Sequence, residues 1–143
     1  MSADAAASTG QRAGTAATPA AMLWAGRGLS AIFALFMAMD IAIKLVGVPQ
    51  VAQTMAPLGW TVERTAPIAP IELAALLLYL IPRTAVLGAI LLTGVMGGAV
   101  ATHMRVGDPL FSHVLFGVYL GLFLWGGLWL RDARLRALTP WRA

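Results

Sequence analysis

Seven ionisable side chains hold most of the chemistry this chain could perform. Asp40 and Lys44 stand four positions apart, Glu72 sits alone inside an apolar run, and His103, Arg105, Asp108 and His113 crowd into GGAVATHMRVGDPLFSH over residues 97–113. On a helix, residues four apart share a face, so Asp40 and Lys44 can neutralise one another; Lys44 can instead stretch its ammonium to a membrane interface. A lone carboxylate in apolar surroundings must be paired with a cation, hydrogen-bonded or protonated. In the last state it can exchange protons with a ligand. The two histidines, ten positions apart across a loop, could share one metal ion. Spacing specifies no third ligand and no helical HxxxH pair, so neither a metal site nor a bis-histidine haem is expected. Arg105 and Asp108 are expected to pair with each other or to cap helices, and Asp108-Pro109 to form the turn that opens the last helix. No hydrolase triad, phosphate loop or nucleotide fingerprint is present. Each group also has a plainer role open to it: an ion pair, a helix-positioning hydrogen bond, an interfacial histidine.

The elements that must position these groups follow from composition. Of 143 residues, 59% are hydrophobic and only 11% charged, with a mean hydropathy of +0.80. Soluble domains carry about a quarter charged residues, so the chain reads as a small integral membrane protein. Its net charge of +4 comes from arginines flanking apolar runs or gathered at the C-terminus. That pattern suits membrane flanks and gives no nucleic-acid surface. The chain lacks cysteine, which excludes thiol chemistry and thiolate-held clusters; redox work would need a borrowed cofactor. No covalent cofactor is expected.

Residues 1–21 are rich in Ala, Ser, Thr and Gly and predict a disordered tail, without the compact regions of a cleaved signal peptide. Residues 22–138 form the membrane domain and 139–143 a short tail. Four apolar segments run over Gly28 to Val46, Pro67 to Ile81, Thr84 to Met104 and Ser112 to Leu130. A hydrocarbon core of about 30 Å needs about 20 helical residues. The first, third and fourth segments suffice; the second spans only if it begins upstream near Thr65 or if the bilayer thins around it. Pro82-Arg83 leaves room only for a tight helical hairpin. In the loop from Gly47 to Ala66, Pro49 can open a short helix with Val51, Met55 and Leu58 on one side and Gln50, Gln53 and Thr54 on the other, which Gly59 could end. It would lie on the bilayer or cap the bundle, with Trp60 at headgroup depth; a plain loop is equally compatible. The expected architecture is therefore an all-α, up-down-up-down four-helix bundle.

Four crossings give one face Arg12, Arg27, Arg83, Arg131, Arg134, Arg136 and Arg142, and the other Lys44, Arg64 and Arg105. Seven basic residues against three put both termini in the cytoplasm. Asp40, Lys44, Glu72, His103 and His113 then gather at the non-cytoplasmic mouth, with nothing comparable at the other. Small residues at Gly26, Ser30, Ala34, Ala38 and Ala42, and the pairs Gly94/Gly98 and Gly117/Gly121, predict close helix packing within the bundle or between protomers. Tyr119, Trp125, Trp129 and Trp141 suit interfacial anchoring and core filling.

The stretch IELAALLLYLIPRTAVLGAILLTGVMGGAVATHMRVGDPLFSH and the closing WGGLWLRDARLRAL, with Lys44 before a Pro-containing loop and LGW before the second span, resemble the DoxX-like family of small four-helix bacterial membrane proteins. The resemblance covers about residues 23–138. It implies residence in the bacterial inner membrane and an association with quinone-linked oxidoreductase assemblies, and it carries no agreed catalytic residues. Glu72, the GGAVATH run and the RVGDP that follows match its recurring pattern. Two functions follow as expectations. One is a subunit that binds quinone or a similar amphipathic lipid and works with a separate redox protein, and the other is a non-enzymatic anchor or assembly protein. A solute or proton pathway through an oligomer would need acidic residues continuing to the far face, which are missing.

Overall fold

The computed structural model describes residues 18–138. The expected tails over 1–21 and 139–143 fall outside these residues, apart from Thr18 to Ala21. There the helix begins earlier than the sequence pattern suggests: α1 spans Ala20–Val46, because Pro19 sits just before it and Ala20 and Ala21 favour helix. It stops where Gly47 takes a left-handed φ of 70° and returns its N–H to the Ile43 carbonyl, a glycine-type C-cap.

All regular structure among the described residues is helical. After α1 come α2 (Pro49–Met55), α3 (Val62–Thr65), α4 (Ile68–Leu80), α5 (Ala85–Val106), a π-turn (Leu110–Val114), α6 (Phe116–Arg131) and α7 (Ala133–Leu138). The first loop therefore does open a short helix at Pro49, with Gln50, Gln53 and Thr54 exposed and Val51 and Met55 half-buried. Gly59 is left-handed at φ 78°, but four residues beyond the helix end, and α3 is an added turn. Three helical segments, Ala20–Val46, Ala85–Val106 and Leu110–Arg131, are long and apolar enough to cross a membrane. The second apolar segment is not: α4 has 13 residues, about 20 Å at the helical rise. Pro67 precedes it and Pro70 lies in its first turn, the part of a helix where proline is tolerated.

The core follows helical periodicity. In α1 the buried positions are Gly26, Ser30, Phe33, Met37 and Ile41; in α4 they are Ala69, Glu72, Ala75, Leu76 and Tyr79. Steps of three or four, with Ala75 and Leu76 adjacent in α4, mark one inward stripe per helix. Phe33, Met37, Leu76, Tyr79, Leu92, Leu124 and Leu128 meet in a single cluster. α1 packs on α4 and α6, and α5 packs on the same two helices. The outward faces are as apolar as the interior, with Leu35 72% and Leu122 67% exposed, a surface suited to lipid rather than water.

Glycines set the closest approaches. A Cβ on Gly26 would meet the backbone of Gly127 and Arg131 at 2.9 Å, and one on Gly117 would meet the Met96 carbonyl at 3.0 Å. Of the expected small-residue faces, Gly26, Ser30 and Gly117 are used in this way. Ala38 and Ala42 are exposed, and Gly94, Gly98 and Gly121 have nothing within 4 Å. The buried Tyr79 hydroxyl ties three helices: it shares a hydrogen bond with Ser30 Oγ at 2.9 Å and donates to the Leu124 carbonyl at 3.1 Å.

Candidate functional site

The polar groups extend the same inward stripes to the helix ends. Asp40 and Lys44 follow Phe33 and Met37 on α1, Glu72 belongs to the stripe of α4, and His103 continues that of Leu92 and Met96 on α5. Helical register therefore turns carboxylate, ammonium and imidazole toward one another where the apolar core gives out.

Lys44 is the hub. Its Nζ donates to Asp40 Oδ2 at 2.6 Å and to both Glu72 oxygens at 2.8 Å. An ammonium has three donors, and all three are matched by acceptors here. The side chain of Glu72 is 3% exposed, that of Lys44 11% and that of Asp40 28%. Of the states open to Glu72, pairing with a cation is the one adopted. The triad joins two carboxylates to one ammonium, so when fully ionised it carries an excess negative charge.

The second group is His103, Asp108 and His113. His103 Nδ1 lies 2.6 Å from Asp108 Oδ2, and the His103 and His113 ring centroids are 5.8 Å apart. Asp108 thus pairs with His103, not with Arg105. The correction has a backbone cause: Gly107, left-handed at φ 76°, reverses the chain after α5 and brings Asp108 back beside the histidine. Arg105 instead donates to the Leu58 carbonyl at 2.5 Å, fastening the first loop to the end of α5. Pro109 precedes the π-turn, whose wider hydrogen bonding, such as Leu115 N–H to the Leu110 carbonyl at 2.8 Å, lays the exposed His113 beside His103. Such turns are often found at functional sites. His113 Nδ1 and Ser112 Oγ are 2.8 Å apart. Among the described residues, no three His, Asp or Glu side chains converge as a metal ion would require.

A cavity of about 300 Å³ joins the two groups, with Lys44, Glu72, Thr102 and His103 on its polar edge. Its apolar walls include Met55, Leu58, Trp60, Ile71 and Val95, so the first loop roofs it. Trp60 and Thr102 were not marked as site residues by their sequence positions; LGW ahead of the second span was the available signal. Of the expected residues, Lys44, Glu72 and His103 line the cavity, Asp40 and Asp108 each hold one of those, and Arg105 and His113 stand outside its lining. The opposite end is also more polar than expected. Arg27, Arg83, Arg131 and Arg134 border a cleft there.

Compared with known proteins, residues 28–127 match the DoxX-like family. No curated protein and no solved structure matches the chain.

Proposed function

The chain belongs to the DoxX-like family, and on that premise we propose that this membrane protein binds a quinone, or a similar amphipathic ring lipid, in the cavity beneath Trp60 as the membrane subunit of a separate redox protein. The carrying observation is the pairing of an apolar chamber with a polar edge of Lys44, Glu72 and His103. Ligand pockets run from about 300 to 1,000 Å³, and this one suits a single ring rather than a larger cofactor. Four crossings, with α3 extending the short α4, put the cavity at the non-cytoplasmic mouth of an up-down-up-down bundle and both termini in the cytoplasm, in accord with the arginine distribution.

Asp108, accepting from Nδ1–H, leaves His103 Nε2 for the ligand. Reduction of a quinone to its quinol takes two electrons and two protons. The redox partner supplies the electrons, an imidazolium at His103 gives one proton through Nε2, and solvent at the mouth gives the other. The test is saturable binding of a short-chain quinone analogue to lipid-extracted, purified protein. His103→Gln is expected to weaken binding about three- to tenfold, the effect of one lost hydrogen bond. Binding that never saturates, with no quinone retained on purification, would remove this reading.

One observation favours a second reading, a non-enzymatic anchor or assembly protein. Gly94 and Gly97 on α5 have nothing within 4 Å, leaving a flat strip against which a partner helix or a second copy could pack. Under that reading, Gly94→Leu with Gly97→Leu abolishes co-purification of the partner or of the oligomer while melting and quinone binding are unchanged. Co-purification that survives the double change counts against it.

A further inference from the structure

We propose that the arginine-bordered cleft at the opposite end from the quinone cavity is a binding site for a phosphate group, carried by an anionic phospholipid headgroup or by free phosphate. The cleft measures about 670 Å³ and is bordered by Arg27, Arg83, Arg131 and Arg134. Asp132, the one carboxylate there among the described residues, is already engaged: its Oδ1 accepts from the backbone N–H of Arg134 at 2.8 Å and of Leu135 at 3.3 Å, capping α7. Among the described residues, four guanidiniums against one carboxylate leave a net charge of +3 around the cleft.

None of the four arginines forms a salt bridge among the described residues. The contacts that hold them leave their charge intact. Arg27 lies over the Trp24 ring and Arg131 over the Tyr79 ring, each at 5.0 Å, and Arg131 also donates to the Tyr79 carbonyl at 3.4 Å. The Nε of Arg131 is buried with no acceptor among the described residues. Arg136 shows the contrast: it donates to the Trp129 and Leu130 carbonyls and to Thr18 Oγ1.

Guanidinium forks match phosphate oxygens two at a time. Ala85, the first residue of the 22-residue α5, also borders the cleft and brings the positive end of that helix to it. Leu23, Pro82 and Leu128 add apolar surface beside which a glycerol backbone or the start of an acyl chain can lie. A phosphate here would neutralise charge that the fold concentrates and leaves unmatched.

The test uses the full chain, delipidated in neutral detergent. Its melting temperature is followed while phosphatidylglycerol, phosphatidylcholine or sodium phosphate is added at matched ionic strength, and native mass spectrometry counts retained lipid. Phosphatidylglycerol is expected to stabilise where phosphatidylcholine does not, with affinity falling about fivefold for each of Arg27→Gln, Arg83→Gln and Arg134→Gln. These three side chains are exposed, so the variants should melt as the parent does without ligand. Arg64→Gln, an equal loss of charge at the other end, should leave the lipid response unchanged. Stabilisation by sodium phosphate as well supports the site and identifies free phosphate as its ligand. No response to either phosphate source, or a response that the arginine variants and Arg64→Gln alter equally, overturns the proposal.

Discussion

Lys44→Met is expected to lower the folding equilibrium constant by more than about a hundredfold, because breaking a buried ion pair by removing one partner costs about 3–5 kcal/mol. Methionine keeps much of the apolar stem and loses the charge, leaving Glu72, 3% exposed, without the ammonium that meets both its oxygens at 2.8 Å. Adding Glu72→Gln should restore most of the loss, since a neutral amide no longer needs a cation. Asp40→Asn should matter less, under about 1 kcal/mol, because Asp40 is 28% exposed and water replaces part of what it loses. Melting in detergent and yield of monodisperse protein measure all three. A Lys44→Met protein that melts like the parent would contradict the hub role of this lysine. The refolded double variant carries a second result: if it has lost quinone binding, the triad serves the ligand, and if binding is intact, the triad only locks α1 to α4.

Gly88→Ala is expected to destabilise by about 1–3 kcal/mol or more, although it adds a single methyl group. That methyl would collide with the Tyr79 backbone nitrogen, and would sit 2.6 Å from Tyr79 Cα and 2.8 Å from the Ala75 carbonyl. These are main-chain atoms of α4, which no rotamer change can move aside. The hairpin must open, and Tyr79 carries its bonds to Ser30 and Leu124 with it. Gly94→Ala, six positions on along the same helix, has nothing within 4 Å and should be neutral or stabilising, as alanine favours helix over glycine. Gly117→Ala, with its nearest contacts at 3.0 Å, should fall between them. Melting temperatures of the three variants in one detergent give the ranking, and a Gly88→Ala protein as stable as Gly94→Ala would refute the close crossing.

Much of this was legible in the sequence because bilayer crossing imposes simple demands. Long apolar runs, few charges and arginine-flanked ends announce helices wherever hydrocarbon excludes unpaired backbone. Asp40 and Lys44 were visible as a pair because four residues make about one helical turn, and Glu72 was visible as a residue in need of a cation because apolar surroundings leave a carboxylate few options. Which cation it would take was not readable, since Lys44 is 28 positions away and only the packing of α1 on α4 joins them. Asp108 illustrates the same limit: its nearest sequence neighbour of opposite charge is Arg105, yet the left-handed turn at Gly107 delivers it to His103. Glycine spacing misled in a similar way, because a GxxxG pair reports that a backbone could be approached, not that anything approaches it. Gly94 and Gly98 stay open while the unpaired Gly88 makes the tightest crossing. The sequence by itself determined the long apolar helices and the end at which each charge falls, because these depend on the length of apolar runs and on the cost of charge in lipid. The tertiary structure alone decided which charge meets which, where the cavity opens under Trp60 and that four arginines border one cleft, because each depends on helix crossings that bring together residues far apart in the chain.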